Sequence, residues 1–147
     1  MRLEAFIESD SFQIAVRSGN LIPQWTEENL STGVADSEEG LLIATYPDIE
    51  FRNRSIPVTI MDAGEDLTAA QQKEFHLIGE YHLLAQHKSV DVGCIPSVCE
   101  GTSGRVNLDR KKFSVQVWGS NVQDPKKILL RFKRVHFTGI DAGRLKV

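Results

Sequence analysis

Apolar residues recur at every second position in several short segments of this 147-residue chain. A period of two places alternate side chains on opposite faces of a β-strand, so that one face is buried and the other meets solvent. A series of short strands with turn residues between them is typical of a sandwich or a partly closed barrel. We therefore predict a mainly β, single-domain antiparallel β-sandwich, or a partly closed barrel, with one or two short helices. The alternating segments are residues 12–16, 90–94, 106–108, 113–117 and 128–132.

Three further segments have less regular patterns. Compact apolar runs at residues 41–46 and 56–61 predict two more strands. Residues 75–87 fit either a strand with a bulge at Gly79 or a helix with its apolar residues on one face, and we favour the strand. From Gly139 onward we expect a frayed tail.

The composition is ordinary for a soluble globular protein, with 41% hydrophobic and 25% charged residues. The length fits one domain, residues 1–147, with a core of its own. The first residues are acidic too early and too short of apolar residues for a secretory signal. No run approaches the roughly 18 apolar residues that a membrane span needs. We therefore expect a cytoplasmic protein without a membrane span.

One helix can be placed from its ends. Thr26 can cap a helix through its hydroxyl, and Glu27 and Glu28 then lie in the first turn, where negative charge is favoured. Gly33 suits the left-handed residue that ends a helix. Trp25 precedes the cap, and we interpret it as a packing residue that holds the helix on a sheet, although an exposed interface role stays open.

Charge is divided unevenly along the chain. Residues 1–50 contain ten acidic and two basic residues, for a charge of −8, whereas residues 101–147 contain three acidic and eleven basic residues, for a charge of +8. Such asymmetry indicates a charged interaction surface, unless the two ends lie side by side and neutralise each other. The acidic third is therefore a candidate binding surface.

Catalytic and metal-binding patterns are weak. His82, His87, Cys94 and Cys99 are an acceptable set of zinc ligands, but their spacing is not that of a zinc finger or ribbon. A thiolate–imidazole pair of Cys99 with a histidine is the alternative for an enzyme, and no local motif supports it. We predict no catalytic residue, no metal and no cofactor.

The basic residues of the last third could follow a phosphate backbone. The overall pI of about 5.8 is far below that expected of a nucleic-acid-binding domain. We predict that the protein does not bind nucleic acid directly.

Several of these segments together resemble the competence protein J family. The similarity is dense over residues 23–35, with Pro23, the segment Trp25–Thr26–Glu27–Glu28–x–Leu30, and the segment Gly33–Val34–Ala35. It extends to Phe12–Gln13–Ile14, to the apolar strand from Leu41, and to the late segment Phe113–Ser114–Val115–Gln116–Val117–Trp118. The family consists of small inhibitors of a competence-specific DNA-entry nuclease, so the resemblance implies a protein that acts by binding another protein.

Charge and resemblance lead to the same hypothesis. A non-enzymatic inhibitor or immunity-type protein would place acidic side chains in the basic groove of a nuclease or toxin, as a mimic of phosphates, and its carboxylates could also cap a bound Mg²⁺. An apolar residue would supply the affinity that charge alone does not. The predicted partner-binding residues are Trp25, Glu27, Glu28, Leu30, Asp36, Glu38 and Glu39.

Two other functions remain open. A β-sandwich face can bind a carbohydrate or a peptide, and a small enzyme could use the His/Cys cluster. The sequence does not show whether His82, His87, Cys94 and Cys99 converge in space.

Overall fold

The computed structural model describes residues 1–8, 13–19, 23–45, 55–93 and 104–141. In these residues the chain forms eleven strands and two short helices. In chain order they are β1 (Arg2–Glu8), β2 (Gln13–Arg17), α1 (Glu27–Thr32), β3 (Val34–Ser37), β4 (Gly40–Ala44), β5 (Ser55–Met61), α2 (Ala69–Glu74), β6 (His76–Leu84), β7 (Ser89–Gly93), β8 (Gly104–Leu108), β9 (Lys112–Gly119), β10 (Ile128–Lys133) and β11 (Phe137–Asp141).

The strands form two separate sheets. Sheet A has the order β1-β5-β10-β9-β6, and sheet B has the order β11-β8-β7-β2-β4-β3. The predicted sandwich is confirmed, in preference to a barrel. Neighbouring strands are antiparallel with one exception, because β10 runs parallel to β5. A parallel pair needs a long crossover, which the chain between β5 and β10 provides.

The main core lies between the two sheets. On sheet A, the Phe113 and Phe132 rings stack with centroids 5.3 Å apart, and Phe137 of sheet B meets Phe132 edge-on at 5.2 Å. Such pairs add to the stabilisation that burial provides. The aliphatic residues around these rings come from both sheets, including Ile14, Leu41 and Val92 of sheet B.

Each sheet also has a covered patch on its outer face. Trp25 packs on Ala15, Ala35 and Leu42 outside sheet B. Outside sheet A, buried and half-buried apolar residues from the α2 segment and the strands pack together: Met61, Leu67, Phe75, Trp118 and Leu129. These patches explain why parts of β2 and β10 are apolar on both faces, where alternation predicted one buried face, and why β4 is a continuous apolar run.

The segment with two interpretations is a strand. β6 pairs with β9 along its length, and its register shifts between Leu77 and Gly79, so that Ile78 is the extra residue of a bulge. The next paired residue is Gly79, where a Cβ atom would come within 2.6 Å of the Tyr81 hydroxyl oxygen. The predicted strand is therefore confirmed, and its bulge lies at Ile78, one residue before the predicted Gly79.

Other predictions need correction. The frayed tail predicted from Gly139 is wrong for residues 139–141, which pair with β8 as part of β11. No sequence pattern predicted β1 or β3, which are edge strands with polar residues. Residues 12, 46 and 94, which end three of the predicted strands, lie outside the described residues.

Asp62 links the two sheets at the end of β5. Its carboxylate is 2% exposed and accepts hydrogen bonds from the backbone of Gly64 and Phe137, each at 2.9 Å, and from the Met1 amino group at 3.2 Å. Burial acts to raise the pKa of this carboxyl and is the largest single influence. The hydrogen bonds together outweigh it, and the pKa lies below the ordinary 3.8.

Replacing Phe132 by alanine should destabilise the protein by about 3–5 kcal/mol, because it removes the ring shared by both aromatic pairs and leaves a cavity. Phe132→Leu, which keeps most of the volume, should cost less. Urea unfolding measures both variants. A loss below about 1 kcal/mol for Phe132→Ala would contradict the central place of this ring.

Asp62→Asn should cost about 1–3 kcal/mol at neutral pH, because the amide leaves buried donors poorly paired. Since the folded pKa is lowered, the carboxylate stabilises the fold above the unfolded pKa and loses this effect as pH falls through the folded pKa. The difference between wild type and Asp62→Asn should therefore shrink below about pH 3.8.

Urea unfolding as a function of pH measures this difference. Asp124→Asn, an exposed acid-to-amide change, should keep the wild-type pH dependence. A wild-type advantage over Asp62→Asn that stays constant down to about pH 2 would show that the carboxylate does not act as described.

Candidate protein-binding surface

The helix α1 begins and ends as predicted. The Thr26 hydroxyl accepts a hydrogen bond from the Asn29 backbone at 3.2 Å, and the Asn29 side chain accepts one from the Thr26 backbone at 3.3 Å. This is a capping box with Asn in the place of the usual Glu or Gln. Gly33 ends the helix with φ of 80°. None of the helix residues is buried, so α1 displays all its side chains to solvent or a partner.

Trp25 fastens the start of the helix to sheet B. Its indole N–H donates to the Gln13 side chain at 2.9 Å, and the half-buried ring packs on Ala15, Ala35 and Leu42. The packing interpretation of Trp25 therefore fits the structure. A contact of Trp25 with a partner remains a prediction.

The exposed apolar residue on this surface is Leu30. Its side chain is 67% exposed, the highest value among the large hydrophobic residues that the structure describes. An exposed leucine on a surface helix has no packing role in the folded chain. It therefore matches the apolar contact that the sequence predicted beside the acidic residues.

The predicted acidic residues fall into two groups. Glu27 and Glu28 lie in the first turn of α1, and Asp36, Glu38 and Glu39 lie on β3 and in the turn to β4. Glu39 is half-exposed and the other four are exposed. We name the second group, residues 36–39, the acidic turn.

The backbone of the acidic turn is fixed to the neighbouring strands. The Leu84 backbone N–H donates to the Glu38 carbonyl at 2.8 Å, which joins the turn to β6 of the other sheet. The Ser18 backbone N–H donates to the Glu39 carbonyl at 2.8 Å, and the Ser18 hydroxyl lies 2.8 Å from the carbonyl oxygens of both Glu39 and Leu84. The turn is therefore held between the end of β2 in sheet B and the end of β6 in sheet A.

Asp36 acts on a neighbouring side chain of sheet A. Burial, and to a smaller extent the negative charge of Asp36, raise the pKa of the Tyr81 hydroxyl on β6. Asp36 and Tyr81 therefore lie close enough for electrostatic coupling. The edge of β3 and the edge of β6 lie on the same side of the sandwich.

Basic residues of the last third pair with acids of the middle of the chain. Lys127 binds Glu74 at 2.7 Å, Arg131 binds Asp66 at 2.6 Å and Lys133 binds Glu80 at 3.2 Å. The hydrogen bond from Lys133 lowers the pKa of Glu80 despite partial burial. Within the described ranges, no ion pair involves four of the predicted acidic residues: Glu27, Glu28, Asp36 and Glu38.

A cavity of about 280 Å³ adjoins the acidic turn. Sequence analysis did not identify it, because its lining comes from segments far apart in the chain. The polar lining consists of Glu38, His82, Lys112, Ser114 and Arg134. Cross-strand pairing of β6 with β9 brings His82 beside Ser114.

The histidine–cysteine set is only partly described. His82 lies on β6 and His87 lies in the turn before β7, and both are exposed. Cys94 and Cys99 lie outside the described residues, so convergence of the four stays untested. In the part of the chain that the structure describes, no group of three or more His, Cys, Asp or Glu residues could hold a metal. No helix in these residues is long and apolar enough to cross a membrane.

Comparison with known proteins adds a relationship of fold. The sequence matches no model of a protein family and no curated protein. Among solved structures it is similar to ComJ from Bacillus subtilis, an inhibitor of the DNA-degrading activity of NucA. The two proteins share a fold. The TM-score is 0.50, the identity is 13%, and the alignment covers 90% of this chain and 94% of ComJ.

The similarity to ComJ supports the predicted resemblance at the level of fold. It covers nearly all of the chain, whereas the sequence resemblance was dense only over residues 23–35. At this identity, contact residues cannot be carried from one protein to the other.

Thr26→Ala should open α1 locally, because it removes the hydroxyl that satisfies the Asn29 N–H. A lost cap of about 1 kcal/mol should lower the hydrogen-exchange protection of the Leu30 and Gly33 amides about fivefold. These amides donate to Thr26 and Asn29 within the helix. Thr26→Ser, which keeps the hydroxyl, should retain wild-type protection. Equal exchange in both variants would contradict the capping role.

Proposed function

We propose that this protein is a non-enzymatic inhibitor that binds a nuclease or a nuclease toxin in the cytoplasm. The observation that carries the proposal is the shared fold with ComJ, an inhibitor of a DNA-degrading activity. Fold alone does not determine function. The proposal therefore also rests on the surface that residues 25–39 form.

The acidic side chains supply the electrostatic part of the proposal. Glu27, Glu28, Asp36 and Glu38 are exposed, and no described cation forms an ion pair with them. A nuclease groove that binds DNA carries positive charge, and exposed carboxylates would be attracted to it as phosphates are. Complementary charge of this kind speeds encounter and selects the partner.

Rigidity of the acidic turn supports the same function. The hydrogen bonds from Leu84 and Ser18 hold the backbone of Glu38 and Glu39 before any partner arrives. A surface held in its bound shape loses less conformational entropy on association. The two acidic groups, on α1 and in the acidic turn, then contact separate parts of the groove.

Leu30 supplies the apolar part. Inhibitor interfaces depend on a few well-packed residues, with charged residues contributing mostly to specificity and rate. In this proposal Leu30 enters a pocket of the partner, Trp25 supports the helix beneath it, and the glutamates surround the contact. Carboxylates are also ligands for Mg²⁺, so one of them can cap a metal held by the nuclease.

Reversal of Glu38 and Glu39 to lysine should weaken inhibition at least about tenfold, because it turns attraction to the groove into repulsion. The inhibition constant for DNA degradation measures the effect, with Bacillus subtilis NucA as the first probe and nucleases of the source organism as the next. Wild-type inhibition should weaken between about 50 and about 200 mM salt, and the variant should depend less on salt.

A matched control reverses two acids elsewhere. Glu4 lies on β1, at the opposite edge of sheet A from β6, and Glu74 ends α2. Glu4→Lys with Glu74→Lys changes the net charge equally and should leave inhibition nearly unchanged. If both double variants weakened inhibition equally, the effect would come from the change in net charge and not from the position of Glu38 and Glu39. Full inhibition by the Glu38/Glu39 variant would contradict the role of the acidic turn, and the absence of inhibition by the wild type would contradict the proposed function.

A further inference from the structure

The cavity beside the acidic turn combines two cations that have no acidic partner among the described residues. Lys112 and Arg134 both line it, and neither takes part in an ion pair with a described residue. Their neighbours differ in this respect, because Arg131 and Lys133 are both paired with carboxylates. A concave site lined by unpaired cations is a site where an anion is favoured.

Strand pairing brings the lining together. Across β6 and β9, His82 is opposite Ser114 and Leu84 is opposite Lys112. Lys133 of β10 is opposite Ser114 on the other side, so that Arg134 follows directly at the end of that strand. The hydrogen bond from Leu84 to the Glu38 carbonyl adds the acidic turn as the last wall. Three segments, β6, β9 and the end of β10, therefore supply donors to one place, and the acidic turn adds the Glu38 carboxylate.

Arg134 has an unusual backbone conformation. Its φ is 65°, in the left-handed region that glycine occupies at little cost and other residues occupy rarely. An arginine at such a position costs stability that glycine would not, and strained residues of this kind concentrate at functional sites. Lys88 and Asp124 share this conformation among the described residues, but Arg134 alone of the three also lines the cavity.

We propose that this cavity binds the phosphate group of a small molecule, or inorganic phosphate. The guanidinium of Arg134 and the ammonium of Lys112 neutralise the charge, and the Ser114 hydroxyl and the His82 imidazole donate hydrogen bonds to its oxygens. Leu84 and Phe113 provide an apolar wall for the rest of the molecule. The volume of about 280 Å³ fits a small ligand.

The charge balance favours a phosphate despite Glu38. The lining contains two positively charged side chains, Lys112 and Arg134, and one carboxylate, Glu38. The Glu38 side chain is exposed and can turn toward solvent. This site shares Glu38 with the proposed inhibitor surface but differs from it in chemistry, since it attracts anions where the acidic turn attracts cations. The inference does not depend on the proposed function.

The test titrates the full chain with three probes: inorganic phosphate, adenosine monophosphate and a single-stranded oligonucleotide that lacks a terminal phosphate. Calorimetry should give a Kd of about 1 mM or tighter for inorganic phosphate or for adenosine monophosphate. Sodium chloride at matched ionic strength corrects for screening. No saturable binding of the first two probes, or binding of the oligonucleotide alone, would overturn the proposal.

Substitutions locate the site. Lys112→Gln and Arg134→Gln should each weaken binding at least about tenfold, because each removes a charge-assisted hydrogen bond. Lys111→Gln is the matched control, since Lys111 is the exposed neighbour that does not line the cavity, and it should bind as the wild type does. Equal effects of Lys111→Gln and Lys112→Gln would overturn the assignment.

Arg134→Gly separates the ligand role from a structural role. Glycine accepts the positive φ, so the free energy of unfolding in urea should stay equal or rise. Binding should fall as it does in Arg134→Gln. Wild-type affinity in Arg134→Gly would show that the guanidinium does not contact the ligand.

Discussion

Two sheets can enclose one apolar core only while every strand keeps its inward face inward. A slip of one residue in any strand would turn its buried side chains to the outside. The stacked pair of Phe113 and Phe132 and the edge-on contact of Phe132 with Phe137 therefore favour one register as well as adding stability. The remaining features depend on that register. It places Trp25 above alanines that leave room for its ring, and it aligns Lys112, His82 and Ser114 on one side of the cavity.

Sequence patterns predicted the strands that carry the core, and the reason is physical. Strands such as β9 and β10 must bury alternate residues, so their sequences record the period of two. Edge strands bury fewer side chains. The edge strand β3 has the sequence Val34–Ala35–Asp36–Ser37, which is short and does not show a period of two. The end of α1 was predictable because its capping residues act on backbone groups within a few positions of themselves.

The candidate binding surface was predictable only in part, because charge and composition show which side chains are polar but not what faces them. The sequence identified the acidic residues of α1 and the acidic turn. It could not show that Lys127, Arg131 and Lys133 bind acids of the middle of the chain, because strand order decides those neighbours. The cavity was missed for the same reason: Glu38, Lys112 and Arg134 become neighbours only after both sheets have formed.

The parallel pairing of β5 with β10 has a consequence for synthesis on the ribosome. At about 5–20 residues per second, translation from Met61 to Lys133 takes roughly 4 to 14 seconds. During that interval the edge of β5 that later pairs with β10 has no partner, and sheet B, which packs against Ile56, Val58 and Ile60, is complete only after β11 has been made. Sheets assembled from distant segments form slowly for this reason. The nascent chain therefore carries an unpaired apolar strand edge through about half of its synthesis, and its yield in the cell depends on how well that edge is protected until the last strands of the sandwich are made.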